Sequence, residues 1–252
     1  MPSVVAVANQ KGGVAKTTTV HSVGAALAER GRRVLLVDLD PQACLTYSLG
    51  LRADDLAHTL HDVLVHRRPI DDILIKVGDL QIAPSSIDLA GTEIHLLSKT
   101  GREYALRRAI EPVVRHYDVV LIDCPPSLGI LTINGLTAAD AVLVPLQCET
   151  LSSRGVGQLL ETVADVRSFT NPGLSVVGVV ATMHDARTKL GQQVLADVRD
   201  QHGLELLPPP VPKSVRVAEA PGQGRSILAH APSSPAAEAY RALARTIEER
   251  LL

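Results

Sequence analysis

VVAVANQKGGVAKTTTV, residues 4–20, decides the fold of this chain. Val4 to Ala8 make a continuous apolar run that predicts a buried strand. Gly12 and Gly13 let the backbone curl so that its N–H groups converge, and Thr17 to Thr19 open a helix whose positive end faces the same point. In the pattern G-x-x-x-x-G-K-[ST], Lys16 would reach the β- and γ-phosphates while the Thr17 hydroxyl ligates Mg²⁺. Gln10 and Ala15 stand at the two outer glycine positions. A glycine turn ahead of a helix needs no ligand when it stands alone. Strand, loop and helix in this order make it a phosphate cradle.

Working outward, the 252 residues are enough for one large core, and a single domain over 1–252 is expected. The chain is 46% hydrophobic but has only five aromatic residues, Phe169 and four Tyr. That composition describes a core of Val, Leu, Ile and Ala, as in a parallel sheet flanked by helices. No apolar run approaches the length that crosses a bilayer and no charged segment precedes an apolar one at the amino terminus, so a cytoplasmic protein without stable membrane association is expected. Cys44, Cys124 and Cys148 are scattered, which predicts reduced, buried thiols and neither a disulfide framework nor a zinc site. A formal charge of −2 offers nucleic acid no global attraction. Any contact with DNA would need a local basic patch.

Val20, Val23 and Leu27 recur at helical spacing and Gly31 follows as a C-terminal cap. RVLLVDLD, LQIAP, DVVLID, AVLVPL and LSVVGVVAT repeat the apolar-run pattern with helical stretches between them. The alternation predicts an α/β fold: a doubly wound, mostly parallel sheet with helices on both faces. Residues 51–115 read as several helices around one short strand, with breaks at Pro69 and Gly78 and a kink or boundary at Pro112. The proline-rich 207–214 stretch and the segment with Pro221, Gly222 and Gly224 read as loops. In the last helix, Tyr240, Leu243, Ile247 and Leu251 share one face, and its six charges balance to zero. It reads as a packing helix, without the basic excess of a lipid-docking one.

Ligands of an open parallel sheet bind beyond the carboxyl ends of its strands. Asn9 and Gln10, Asp38 and Asp40, Asp123, Gln147 with Glu149, and Asp185 all follow apolar runs, which argues for a shared site at that edge. A single strand ending in an acid would mean only that acids favour the surface. Asp123 follows four apolar residues and precedes Cys124-Pro125-Pro126, the setting of an aspartate that holds Mg²⁺ directly or through water.

KGGVAKTT, LLVDLDPQ, VVLIDCPPS, TMHDARTKLG and VPKSVRVAEAPGQG together resemble the deviant Walker ATPases of the ParA/Soj/MinD family, Soj-type partition proteins in particular, along nearly the whole chain. The resemblance implies a nucleotide cradle at Lys11, Gly12, Gly13, Val14, Ala15, Lys16, Thr17 and Thr18, with ATP and Mg²⁺ as ligands. It implies that Lys11 reaches across a homodimer to the partner's phosphates, that Asp40 positions the attacking water, and that Met183 and Pro212 border the adenine. No Asn-Lys-x-Asp guanine motif occurs. Arg187 and Arg216 match positions that contribute to nonspecific double-stranded DNA binding, and Lys189, Lys213 and Arg225 could extend the patch.

The implied function is an ATP-dependent, nucleoid-associated dimeric switch in chromosome or plasmid segregation, with hydrolysis stimulated by a ParB-like partner. Alternatives are a MinD-like or orphan positioner acting on membrane or a protein cargo, and a metabolic or redox enzyme on the same scaffold. Two departures stand out. Ala15 replaces the family's usual glycine, and a left-handed backbone there would cost an alanine about 1–2 kcal/mol. QCETLSSRG lacks the aromatic residue usual after the glutamate.

Overall fold

The computed structural model describes residues 2–149, 152–185 and 187–252. Thr150, where the missing aromatic residue would stand, lies outside the described residues. Among the described residues seven strands form one sheet: β1 (Ser3–Val7), β2 (Val34–Asp38), β3 (Ile75–Val77), β4 (Leu80–Ala83), β5 (Val119–Asp123), β6 (Ala141–Gln147) and β7 (Ser175–Thr182). Their order across the sheet is β3-β4-β2-β5-β1-β6-β7, parallel except that β3 runs antiparallel to β4. Helix α1 (Lys16–Glu29) follows β1, and α2 (Cys44–Ser48) and α3 (Leu60–His66) follow β2. After β4 come α4 (Leu89–Leu97) and α5 (Ala105–Val114), after β5 comes α6 (Ile130–Ala138), and after β6 comes α7 (Ser152–Phe169). The chain ends with α8 (Lys189–His202), α9 (Val215–Glu219), α10 (Ile227–His230) and α11 (Pro235–Leu251).

The apolar runs become central strands because both faces of the sheet are covered. Side chains alternate along a strand, so each run feeds two cores. Val5, Val7, Leu36 and Leu121 join Val20, Val23 and Leu27 of α1 and Tyr240, Leu243 and Ile247 of α11 on one face. Ala6, Leu35, Val37, Val120 and Ile122 join Ile110 of α5, Leu131 and Leu136 of α6, and Leu159 and Val163 of α7 on the other. The expected doubly wound sheet is the observed one.

Helix α1 ends as its sequence predicts. Gly31 takes φ +81°, its N–H donates to the Ala28 carbonyl at 2.8 Å, and that of Arg32 donates to the Leu27 carbonyl at 3.1 Å. This pairing satisfies the last carbonyls of the helix. Helix α11 packs its apolar face on α1, and its charges turn to neighbours: Arg241 to Glu29, Arg250 to Glu205, and Glu248 to Arg30 and Arg32.

Four local readings are corrected. Strand β3 was not expected: it has three residues, none fully buried, and it turns into β4 at Gly78, φ +58°. Pro112 lies inside α5, in its last turn, where the missing N–H removes only the bond to the Arg108 carbonyl. The stretch read as loop near Pro221 contains α9 and a 3-10 turn, Ala220–Gln223, in which proline occupies a first-turn position that needs no N–H. Cys44 is exposed, whereas Cys124 is buried and Cys148 half-buried.

Helix α6 crosses the sheet closely at Gly135, where a Cβ would stand 2.8 Å from Cys124 Sγ and 3.3 Å from a Leu39 methyl. Overpacking of this kind costs about 1–3 kcal/mol. Gly135→Ala is expected to destabilise the fold by about that amount, and Cys124→Ala in the same background to recover part of it; urea denaturation of the single and double variants measures both.

Candidate functional site

Strands β1, β2 and β5 end side by side, which brings the polar residues that follow them to one edge. Asp38 and Asp123 are register partners on neighbouring parallel strands. Both fall in the alternation with Leu36 and Leu121, on the face that α1 covers. Val7 is also paired with Asp123, so the loop leaving β1 passes over this carboxylate pair. The loop is tied at several points. Asn9 accepts from the Lys11 N–H at 3.0 Å and donates to the Pro145 carbonyl at 2.7 Å, Thr182 donates to the Val14 carbonyl at 3.0 Å, and Lys16 Nζ donates to the Lys11 carbonyl at 3.1 Å. Gly13 takes φ +76°. Gly12 faces Pro126, beyond Asp123.

Ala15 does adopt the left-handed conformation, φ +64° and ψ +34°, at the cap of α1. Helix α1 starts at Lys16, one residue ahead of the predicted threonines.

The electrostatics are those of buried charge. Lys16 is buried, and desolvation lowers its pKa while the Asp123 and Asp40 carboxylates oppose that shift. Asp38 is fully buried, and burial pushes its pKa up to about 7 although the Thr46 N–H and hydroxyl donate to it at 2.8 and 2.7 Å. Asp123 is held well above the usual carboxylate range by burial and by its neighbour Asp38. Among the described residues neither of its oxygens meets the geometry of a hydrogen bond, although the Thr17 hydroxyl stands near enough to lower its pKa. A buried carboxylate without donors calls for a cation. Asp123 and Thr17 offer oxygen ligands suited to a hard divalent ion such as Mg²⁺.

Asp40 is buried beside this pair. Its carboxylate accepts from the Gln42 N–H at 2.9 Å, its own N–H donates to Asp38 at 3.3 Å, and its carbonyl accepts from the Ser85 hydroxyl at 2.8 Å. Asp38 therefore props the turn that aims Asp40. Lys11 lies at the lip of the loop, paired with Glu149 after β6, and Gln147 donates to the same glutamate at 2.7 Å.

A cleft of about 1450 Å³ gathers Gly12, Gly13, Ala15, Lys16, Thr17, Thr18, Asp40, Met183 and Pro212 in one lining. Val14 instead turns its side chain into the core. The basic residues divide. Arg187 and Lys213 line a separate groove of about 840 Å³ together with Arg245. Lys189 and Arg216 are exposed but stand outside that lining, and Arg225 lines the cleft with Lys213. Arg187 is held by Asp185 through two bonds of 2.9 and 2.8 Å.

Sequence reasoning missed Thr46, Ser85, Ser48 and His21. Only His21 left a signal: it stands four residues after Thr17, on the same helix face.

A strand–loop–helix phosphate cradle at the carboxyl edge of a parallel sheet, with a buried lysine and an unpartnered aspartate, defines a P-loop nucleotide-binding protein. Residues 2–176 match the family described as AAA domain. The chain is 45% identical over 249 residues to the sporulation initiation inhibitor protein Soj of Bacillus subtilis, covering 98% of each. It is 44% identical over 247 residues to the chromosome-partitioning ATPase Soj of Thermus thermophilus, covering 98% of this chain and 96% of the relative. The chain belongs to the Soj/ParA family of AAA-domain proteins. Among solved structures, a Mycobacterium smegmatis protein described as cobyrinic acid a,c-diamide synthase, with bound ATP analog and magnesium, is 51% identical at TM-score 0.87, over 97% of this chain and 93% of that one. The cell division ATPase MinD of Pyrococcus furiosus is 26% identical at TM-score 0.81, over 99% of each.

Two outcomes are expected. Ala15→Gly relieves a left-handed alanine, about 1–2 kcal/mol, against about 0.5–1 kcal/mol of added glycine entropy, so thermal denaturation should show a small net gain in stability. Asp38 binds its proton more tightly folded than unfolded, so the stabilisation this proton provides is complete at acid pH and is lost as pH rises through about 7. In the presence of a chelator, stability should fall from about pH 4 to about pH 7 and level off above that, and Asp38→Asn should flatten that slope in urea titrations.

Proposed function

We propose that this protein is an ATP-dependent partition ATPase that dimerises on ATP, grips double-stranded DNA without reading sequence, and lets go when a ParB-like partner stimulates hydrolysis, in chromosome or plasmid segregation on the nucleoid. The observation that carries the reading is the convergence of Lys16, Thr17, Asp40 and Asp123 on one edge, in a chain that aligns along 98% of its length with Soj proteins. ATP would lie in the cleft with its phosphates in the cradle, Lys16 against the β- and γ-phosphates and the adenine beside Met183 and Pro212. Thr17 and Asp123 would hold Mg²⁺, which offsets the charge of the triphosphate. Asp40, fixed by Gln42, Ser85 and Asp38, orients the attacking water for in-line displacement.

Lys11 has a different task. Two triphosphates facing each other across a dimer bring heavy negative charge into one interface, and a lysine from each protomer offsets it. Its pairing with Glu149 keeps it at the lip, where exchanging one anionic partner for another takes little movement. The exposed cations Arg187, Lys189, Lys213 and Arg216 would meet phosphates, which need charge but no base reading.

A second reading, an amide-forming synthetase, draws on the description of the Mycobacterium smegmatis relative. Amide formation that draws nitrogen from glutamine needs an activated thiol, whereas the thiol pKa values here are raised, by burial at Cys124 and Cys148 and, at the more exposed Cys44, by partial desolvation together with the Asp40, Asp38 and Asp123 carboxylates.

The partition reading is tested by DNA retention with ATP and with ADP. Native protein should be retained with ATP and released with ADP. Arg216→Glu should lose retention while still binding ATP, and Lys11→Ala should bind ATP but sediment as a monomer. Equal retention in every arm overturns the switch.

A further inference from the structure

The cleft continues past the phosphate cradle along α1, and His21 forms part of its wall. It stands one turn beyond Thr17 on the same helix face, about 6 Å along the axis. The side chain is enclosed, with the residue only 6% exposed, and burial pushes its pKa down to about 4, so the ring is neutral near pH 7. A neutral imidazole has one donor and one acceptor nitrogen.

Ser48 decides which is which. Its hydroxyl donates to the Leu45 carbonyl at 2.8 Å, and its Oγ lies 3.1 Å from His21 Nδ1. The hydroxyl has one hydrogen, committed to a carbonyl that can only accept. Nδ1 therefore carries the ring proton and donates to Oγ. Nε2 is left as an acceptor, with no hydrogen-bond partner among the described residues.

We propose that His21 Nε2 is a fixed acceptor that reads a hydrogen-bond donor on the bound nucleotide, a sugar hydroxyl or the exocyclic amine of the base, and so selects among nucleoside triphosphates. This rests on the nucleotide reading above. Helix α2, by carrying Ser48, locks the tautomer and makes the acceptor permanent.

The test is calorimetric titration of ATP, 2′-deoxy-ATP, 3′-deoxy-ATP and purine riboside triphosphate into native protein, His21→Leu, His21→Gln and Ser48→Ala. Native protein should bind the analogue that lacks the donor roughly two- to tenfold more weakly than ATP, the fold-change of one neutral hydrogen bond. Which analogue suffers tells sugar from base. His21→Leu should bring that ratio to about one. His21→Gln, whose amide oxygen can replace Nε2, should keep part of it, and Ser48→Ala should lower it by freeing the tautomer.

A merely structural histidine would shift all four affinities together and leave the ratio alone. Equal binding of the four by native protein, or an unchanged ratio in His21→Leu and Ser48→Ala, overturns the inference while leaving nucleotide binding intact. ¹⁵N shifts of His21 showing an Nε2–H tautomer overturn it without any variant. Native protein that binds none of the four overturns the nucleotide reading as well.

Discussion

Two carboxylates buried shoulder to shoulder govern this structure. Asp38 and Asp123 close neighbouring parallel strands in register, burial raises the pKa of both, and Asp38 raises that of Asp123 further, in an interior where unpaired charge is costly. Each is relieved differently. Thr46 gives Asp38 two hydrogen bonds, which turns it into a brace for the Asp40 turn. Asp123 has no such donors and faces Lys16 and Thr17 at the start of α1. The start of that helix, and with it the glycine loop before it, sets a cation and a hydroxyl against a buried anion.

The rest of the fold holds this arrangement still. Helix α11 covers α1 with Tyr240, Leu243 and Ile247, and the bonds from Asn9, Thr182 and Lys16 pin the loop from three sides. An alanine in the left-handed region persists only where its surroundings over-determine it, and Ala15 is such a residue. The same wall serves two surfaces: Pro212 and Lys213 line both the cleft and the groove that carries Arg187 and Arg245.

Much of this was legible in the order of residues. Continuous runs such as Val34–Val37 and Val119–Ile122 announce strands buried on both faces, and the glycines before Lys16 announce a cradle, because these demands act locally on the backbone. Strand β3 escaped notice because Ile75, Lys76 and Val77 form a half-exposed edge held by pairing with β4 and not by an apolar run. Helix α9 escaped because prolines on both sides punctuate the stretch as loop, whereas the proline of the following turn sits where no N–H is needed.

The sequence by itself determined the strand–loop–helix cradle, the doubly wound sheet and the acids at its edge, since periodicity and backbone freedom are properties of neighbouring residues. Only the tertiary structure decided which of those acids stands without a donor, that Ala15 is left-handed, that Arg187 and Lys213 share a groove while Arg216 stands outside it, and that Ser48 lies against the ring of His21. Each of these depends on residues distant in the chain, or on backbone angles, burial and hydrogen bonds that take form only as the elements pack, and no local pattern encodes them.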